Sequence, residues 1–319
     1  MMKATGALTE EDVRETSLRL RNWERWGDED QCGTLNHVSP DHIVAAAGLV
    51  RRGSVFSLAM PFDSAGPHSG RRGRHNPIHY MIQSGTDAYS GRQDDDGLRY
   101  ADDAVIMVLQ CGTQWDALSH VFYDDFMYNG YDIRLVDSHG AARCGIEHVR
   151  DKMVGRGVLL DIARMLSVDY LEDGFSISAA LLEEAAAHQG VDIGRGDFVI
   201  IRTGQLERCL AEKNWRTYAG GAAPGLAFDT LEWLQAREVA AVASDTFAVE
   251  VRPEATETLK RPWHWVAIPN MGLSVGEIFH VAELAADCAG DGVYEFMLVA
   301  PPLPITGAVG SPVNPIAIK

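Results

Sequence analysis

The stretch Gln110-Cys111-Gly112-Thr113-Gln114-Trp115-Asp116-Ala117-Leu118-Ser119-His120 decides how this chain is read. The apolar run before it, Val105-Ile106-Met107-Val108-Leu109, predicts a buried strand. At a strand's period of two, Gln110, Gly112, Gln114 and Asp116 share one face, with His120 just beyond, where a strand opens into a loop. Functional groups are commonly held in this way, at the end of a rigid element. Trp115 and Cys111 alternate to the other face and are expected in the core.

A second cluster lies at His264-Trp265-Val266-Ala267-Ile268-Pro269-Asn270-Met271-Gly272-Leu273-Ser274-Val275-Gly276-Glu277. A histidine on a strand, predicted over 264–268, and a glutamate after a glycine-containing turn can reach one cleft. With Asp116 and His120 they supply two imidazoles and two carboxylates, a mixed nitrogen and oxygen set suited to Zn²⁺ or Mn²⁺.

Strands are also expected at Val55–Met60, Val158–Asp161, Asp197–Arg202, Val239–Ala243 and Glu295–Ala300. Helices are expected after Ser39-Pro40, over Ser178–Gln189 up to Gly190, within Pro224–Arg237 and over Val281–Asp287. Uneven interleaving of strands and helices favours an α/β domain with a mixed central sheet over a regular doubly wound one. The reading is one domain over residues 1–319, with an N-terminal arm to about residue 35 and a long irregular segment at 61–104.

With 46% apolar and 23% charged residues the composition is globular. A net charge of −17 argues against nucleic acid or an anionic membrane surface as partner. The first residues lack a hydrophobic signal core and no apolar run reaches the ~18–20 residues that span a bilayer, so a cytoplasmic location is expected. Five widely spaced cysteines without a CxxC pair read as free thiols.

The opening segment resembles the HxGTHxDxPxH motif of the metal-dependent cyclase family, which includes bacterial kynurenine formamidase and isatin hydrolase. The likeness continues in Gly155-Arg156-Gly157-Val158-Leu159-Leu160-Asp161, Gly196-Asp197, Arg202-Thr203-Gly204, Ser244-Asp245 and the His264…Glu277 pair. It implies a swivelling β/β/α-type fold, a divalent metal (Zn or Mn) with no nucleotide cofactor, and a homodimer or homotetramer. The implied partner is a small molecule, a cyclic or aromatic amide, lactam or lactone hydrolysed at a C–N or C–O bond. The resemblance assigns Asp116, His120, His264 and Glu277 to the metal, with His120, Asp116 and Glu277 catalytic. Gln110 and Gln114 stand where the motif has two ligand histidines, and Leu118 at its proline.

Three outcomes follow: a single weaker or harder metal; a metal-independent cyclase, lyase or isomerase with His120 and Asp116 as acid and base; or a non-catalytic ligand-binding member. Gln110 and Gln114 are assigned to substrate, together with His79, Phe122 and Tyr128 of the aromatic patch after His120, and His148. His68 and His75, with Arg71, Arg72 and Arg74, are read as a solvated loop, with a carboxylate-recognising lid as the functional alternative.

Overall fold

A computed structural model describes residues 8–253 and 259–319. A nine-stranded mixed sheet forms the centre. Its order is Val55–Ser57, Ile316–Ile318, Glu295–Val299, Val154–Asp161, Phe198–Arg202, Ala241–Ser244, Ser274–Glu277, Gln114–Asp116 and Gly310–Pro312. The four strands from Val154–Asp161 to Ser274–Glu277 run parallel, and the flanking pairs are antiparallel. Phe198–Arg202 and Ala241–Ser244 are buried along their whole length, as parallel strands covered on both faces require. The curled mixed α/β sheet is the fold class expected from the sequence.

Local signals in the chain explain several elements. Ser39 caps the Pro40–Ala47 helix, and Ser178 caps Ala179–Gln189, which stops at Gly190 in the left-handed conformation. The N-terminal residues contain a helix, Glu10–Arg19, with a Thr9/Asp12 capping box. The chain then docks on the turn after Ala267. Trp23 Nε1 donates to Pro269 O, Asn22 Nδ2 donates to Met271 O, and Thr34 N donates to Gly272 O. Gly33, at φ +57°, approaches so closely that an added Cβ would lie 2.0 Å from Gly272 O.

Three expectations are corrected. Val105 and Ile106 end an exposed strand, Asp102–Ile106, paired only with Ile78–Gln83 in a two-stranded ribbon. Residues 107–113 are outside any strand, with a turn and bend over 109–113, so Gln110 and Gly112 are not on the strand that carries Gln114 and Asp116. The 61–104 segment is consequently less irregular than expected, holding most of this ribbon and a short helix, Gly85–Tyr89.

The predicted strand at 264–268 is instead part of a helix, Pro262–Ala267. Pro262 suits a first helical turn, and the distant Glu250 carboxylate accepts from Trp263 N. This helix is buried nearly all round, so its sequence shows no polar face from which a helical period could be read.

Candidate functional site

Two adjacent sheet strands build the floor of the site. In register, Gln114 lies opposite Glu277, Trp115 opposite Gly276 and Asp116 opposite Val275. Gln114, Asp116 and Glu277 therefore project to one face, while Trp115 packs against Phe279 on the other. The Pro262–Ala267 helix brings His264 over this face. One ligand atom from each of Asp116, His264 and Glu277 lies within 4.8 Å of the others, and all three residues are buried.

Gln114 Nε2 donates to Asp116 Oδ1 at 3.2 Å and to Glu277 Oε2 at 3.4 Å, so its amide links the two carboxylates. Its Oε1 is buried with no partner among the described residues. His120 stands at the rim, its Nε2 3.8 Å from Asp116 Oδ1. Behind His264, fully buried Glu250 places Oε1 3.0 Å from Nδ1, off the line of a hydrogen bond, so the attraction is chiefly ionic.

The charges are mutually dependent. Burial pushes the Asp116 carboxyl up to about 6, against the pull of His120. Burial disfavours a charged His264, yet Glu250 and Glu277 outweigh it and hold the imidazolium up to about 10. For Glu277 burial also opposes charge, but His264 keeps its carboxyl below the ordinary value.

Above the floor is a cavity of about 260 Å³, lined by Asp116, His120, His264 and Glu277 and walled by Phe247 and Trp265. Arg71, Arg72, Arg74 and Arg261 surround it, and His68 adds an imidazole whose pKa burial and Arg74 depress.

The proposed metal residues thus come together, with His120 at the edge, whereas the substrate residues scatter. Gln114 lies at the floor. Gln110 is buried nearby, but its side chain turns toward Gly310 and only its carbonyl faces His68, 3.1 Å from Nε2. His79 lies on the exposed ribbon, paired with Asp103 at 2.7 Å across the strands, away from the cavity lining. Tyr128 is core: its ring packs on Gly272 and its hydroxyl donates to Asp30. Phe122 and His148 are exposed outside the lining.

Sequence reasoning did not single out Glu250, Phe247 or Arg261, which carry no local motif. The Arg71–Arg74 run was visible; Arg71 and Arg72 are exposed in a loop, as a solvated segment would be, and the run also borders the cavity.

These features define an α/β protein with a buried carboxylate and imidazole centre under an arginine-rimmed cavity. A family model described as putative cyclase matches residues 56–251, and the chain belongs to the cyclase family. A crystal structure of a novel cyclase is 41% identical, covering 94% of this chain and 99% of that one, with a TM-score of 0.85. Isatin hydrolase A from Ralstonia solanacearum is 17% identical over 86% of this chain and 94% of its own, with a TM-score of 0.62. A predicted metal-dependent hydrolase from Bacillus stearothermophilus is 17% identical over 84% and 98%, with a TM-score of 0.50. The last two relations speak for the fold alone. Comparison with curated proteins gave no match.

Proposed function

We propose that this protein is a hydrolase that cleaves a C–N or C–O bond in a small cyclic or aromatic amide, lactam or lactone, assisted by a divalent ion of the Zn²⁺ or Mn²⁺ kind. The observation that carries this reading is the convergence of Asp116, His264 and Glu277 on one point at the base of the cavity.

The donor set fits such an ion. Two carboxylates and, once His264 has given up its proton, an imidazole offer two charges and three ligand atoms in a buried place. Gln114 keeps an unpaired oxygen that an amide rotation makes available as a neutral ligand. When bound, the ion supplies Lewis acidity, acidifying a water and polarising a carbonyl.

His120, partly exposed at the rim with Nε2 3.8 Å from Asp116 Oδ1, is the proton carrier at Nε2. Glu250 orients His264 through Nδ1 and so turns Nε2 toward Glu277. Phe247 and Trp265 give a flat substrate a wall and exclude water. Assembly into a homodimer or homotetramer belongs to the same reading; the exposed Ile78, Tyr80, Met81 and Ile82 of the ribbon support it.

Elemental analysis of protein purified without chelator, beside turnover of a lactam, lactone and formyl-amide panel, is the test. About one equivalent of metal and EDTA-sensitive hydrolysis are expected. Less than about a tenth of an equivalent, with hydrolysis indifferent to EDTA, rejects the metal.

One observation favours a second reading. Gln114 already bridges Asp116 and Glu277, and His264 already offsets Glu277, so the floor is balanced by its own side chains. A metal-independent lyase, cyclase or isomerase would then use His120 and Asp116 as acid and base. It requires that His120→Ala abolish turnover in protein that never held metal.

A further inference from the structure

The arginines around the cavity are unusual in so acidic a chain. Of 319 residues only 28 are Lys or Arg, against 45 Asp or Glu, yet four arginines line this one cavity. Many arginines elsewhere pair with carboxylates, as Arg156 does with Asp197 and Glu295, and Arg202 with Asp161 and Glu207. Arg71, Arg72 and Arg74 have no carboxylate within ion-pair reach among the described residues, and Arg261 has only Glu250, whose Oε1 it shares with His264 and approaches to 3.4 Å through Nε.

Charge balance with the floor does not account for them. Arg74 is felt electrostatically at both Asp116 and Glu277, but four guanidiniums face two lining carboxylates. His264 and Gln114 already offset those carboxylates from inside.

Phe247 organises part of this charge. The Arg74 guanidinium lies 5.6 Å and that of Arg252 5.3 Å from its ring centroid, and the His68 ring meets it edge-on at 5.9 Å. Stacking on a ring fixes a guanidinium while leaving its in-plane N–H donors open. Arg252 is only 3% exposed, and its Nε and Nη1 have no acceptor among the described residues. Buried donors of that kind call for an acceptor.

We propose that the substrate carries an oxyanion group, a carboxylate or phosphate, held by Arg71, Arg72 and Arg74 at the mouth while its planar part rests on Phe247 and its reacting carbonyl faces Asp116 and His264. The placement of the reacting end rests on the hydrolase reading above; recognition of the anion does not. Planar guanidiniums match both oxyanions through paired N–H···O contacts. The volume of about 260 Å³ suits one small ring with its substituents.

Calorimetric titration of the full chain as purified, with benzoate, phenyl phosphate and neutral benzamide, tests this. At least one anion should bind roughly tenfold more tightly than benzamide, the scale of one charge-assisted hydrogen bond, and the advantage should shrink with added salt. Whichever anion binds better identifies the group as carboxylate or phosphate.

The preference should vanish in the combined Arg71→Gln, Arg72→Gln, Arg74→Gln variant. It should fall about threefold in Arg72→Gln alone, an exposed position whose change leaves the fold intact if the triple variant misfolds. Asp116→Asn should keep or strengthen the preference, since it removes a negative charge below the arginines. Equal binding of benzamide, or a preference that survives loss of the arginines, overturns the proposal. Absence of metal and of turnover with the preference intact would sink the hydrolase reading and leave this one standing.

Discussion

Glu250→Gln is the perturbation whose consequences can be worked furthest. The side chain is fully buried, stands 3.0 Å from His264 Nδ1, and accepts Trp263 N at 3.1 Å. Glutamine keeps the shape and an oxygen for Trp263 but removes the charge. What is lost is most of the force that holds a buried imidazolium, lifted from 6.5 to about 10. Breaking a buried pair by removing one partner costs about 3–5 kcal/mol. For a chain of this size that lowers the melting midpoint by roughly 5 °C or more.

The pH dependence provides a separate check. His264 binds its proton more tightly folded than unfolded, so its stabilisation is fully present below 6.5 and is lost as pH rises through about 10. In EDTA the wild type should therefore lose up to about 1.4 kcal/mol per pH unit across that window, and Glu250→Gln much less. Thermal melts at a fixed scan rate, from neutral to alkaline pH with chelator present, measure both quantities. A midpoint within about 2 °C of wild type at neutral pH, with an unchanged alkaline slope, would refute the account of Glu250 as the partner of a charged His264.

Two further substitutions bear on how the site is built. Gly276→Ala would place a Cβ 2.7 Å from the Trp115 ring and 2.8 Å from both Ala243 Cβ and the Phe279 ring. Overpacking there should cost about 1–3 kcal/mol in urea unfolding and lower turnover by shifting Glu277, while an unchanged urea midpoint would show that the sheet absorbs it. His79→Ala removes an exposed cross-strand ion pair and should leave stability within about 0.5 kcal/mol and turnover within about twofold. A tenfold or larger loss would return His79 to the site, in which case the ribbon must reach the cavity in the working enzyme.

The sequence was legible where local chemistry alone determines structure. Ser178 and Gly190 bracket their helix because a hydroxyl cap and a left-handed stop act within a few residues. Phe198–Arg202 reads as a buried strand because both of its faces are covered. Asp116, His264 and Glu277 were found through motif position, which records a spatial relation that spacing alone does not. Misreadings arose where burial is tertiary. The Pro262–Ala267 helix has no polar face, and Val105-Ile106 looks like core although it lies on an exposed ribbon. Glu250 could not be singled out, since its meaning comes only from His264, fourteen positions on and packed against it.

Gln114 ties the architecture of the site to its chemistry. A carboxylate pair buried beside one another needs a donor between them or a cation, because two unscreened negative charges at that depth repel strongly. The amide hydrogens of Gln114 meet that need from within the sheet: it lies directly opposite Glu277 in register and two residues before Asp116. A sheet register fixed by core residues on the other face, Trp115 against Phe279, therefore also fixes the separation of the two carboxylates. His264 supplies the balancing charge from the helix above, and Glu250 holds that charge in place. The centre is thus assembled from one strand pair, one helix and one buried carboxylate behind it. A cation that enters between the carboxylates must replace either the donor role of Gln114 or the charge of His264, so these two residues, more than the rim, set which cation the floor of the cavity accepts.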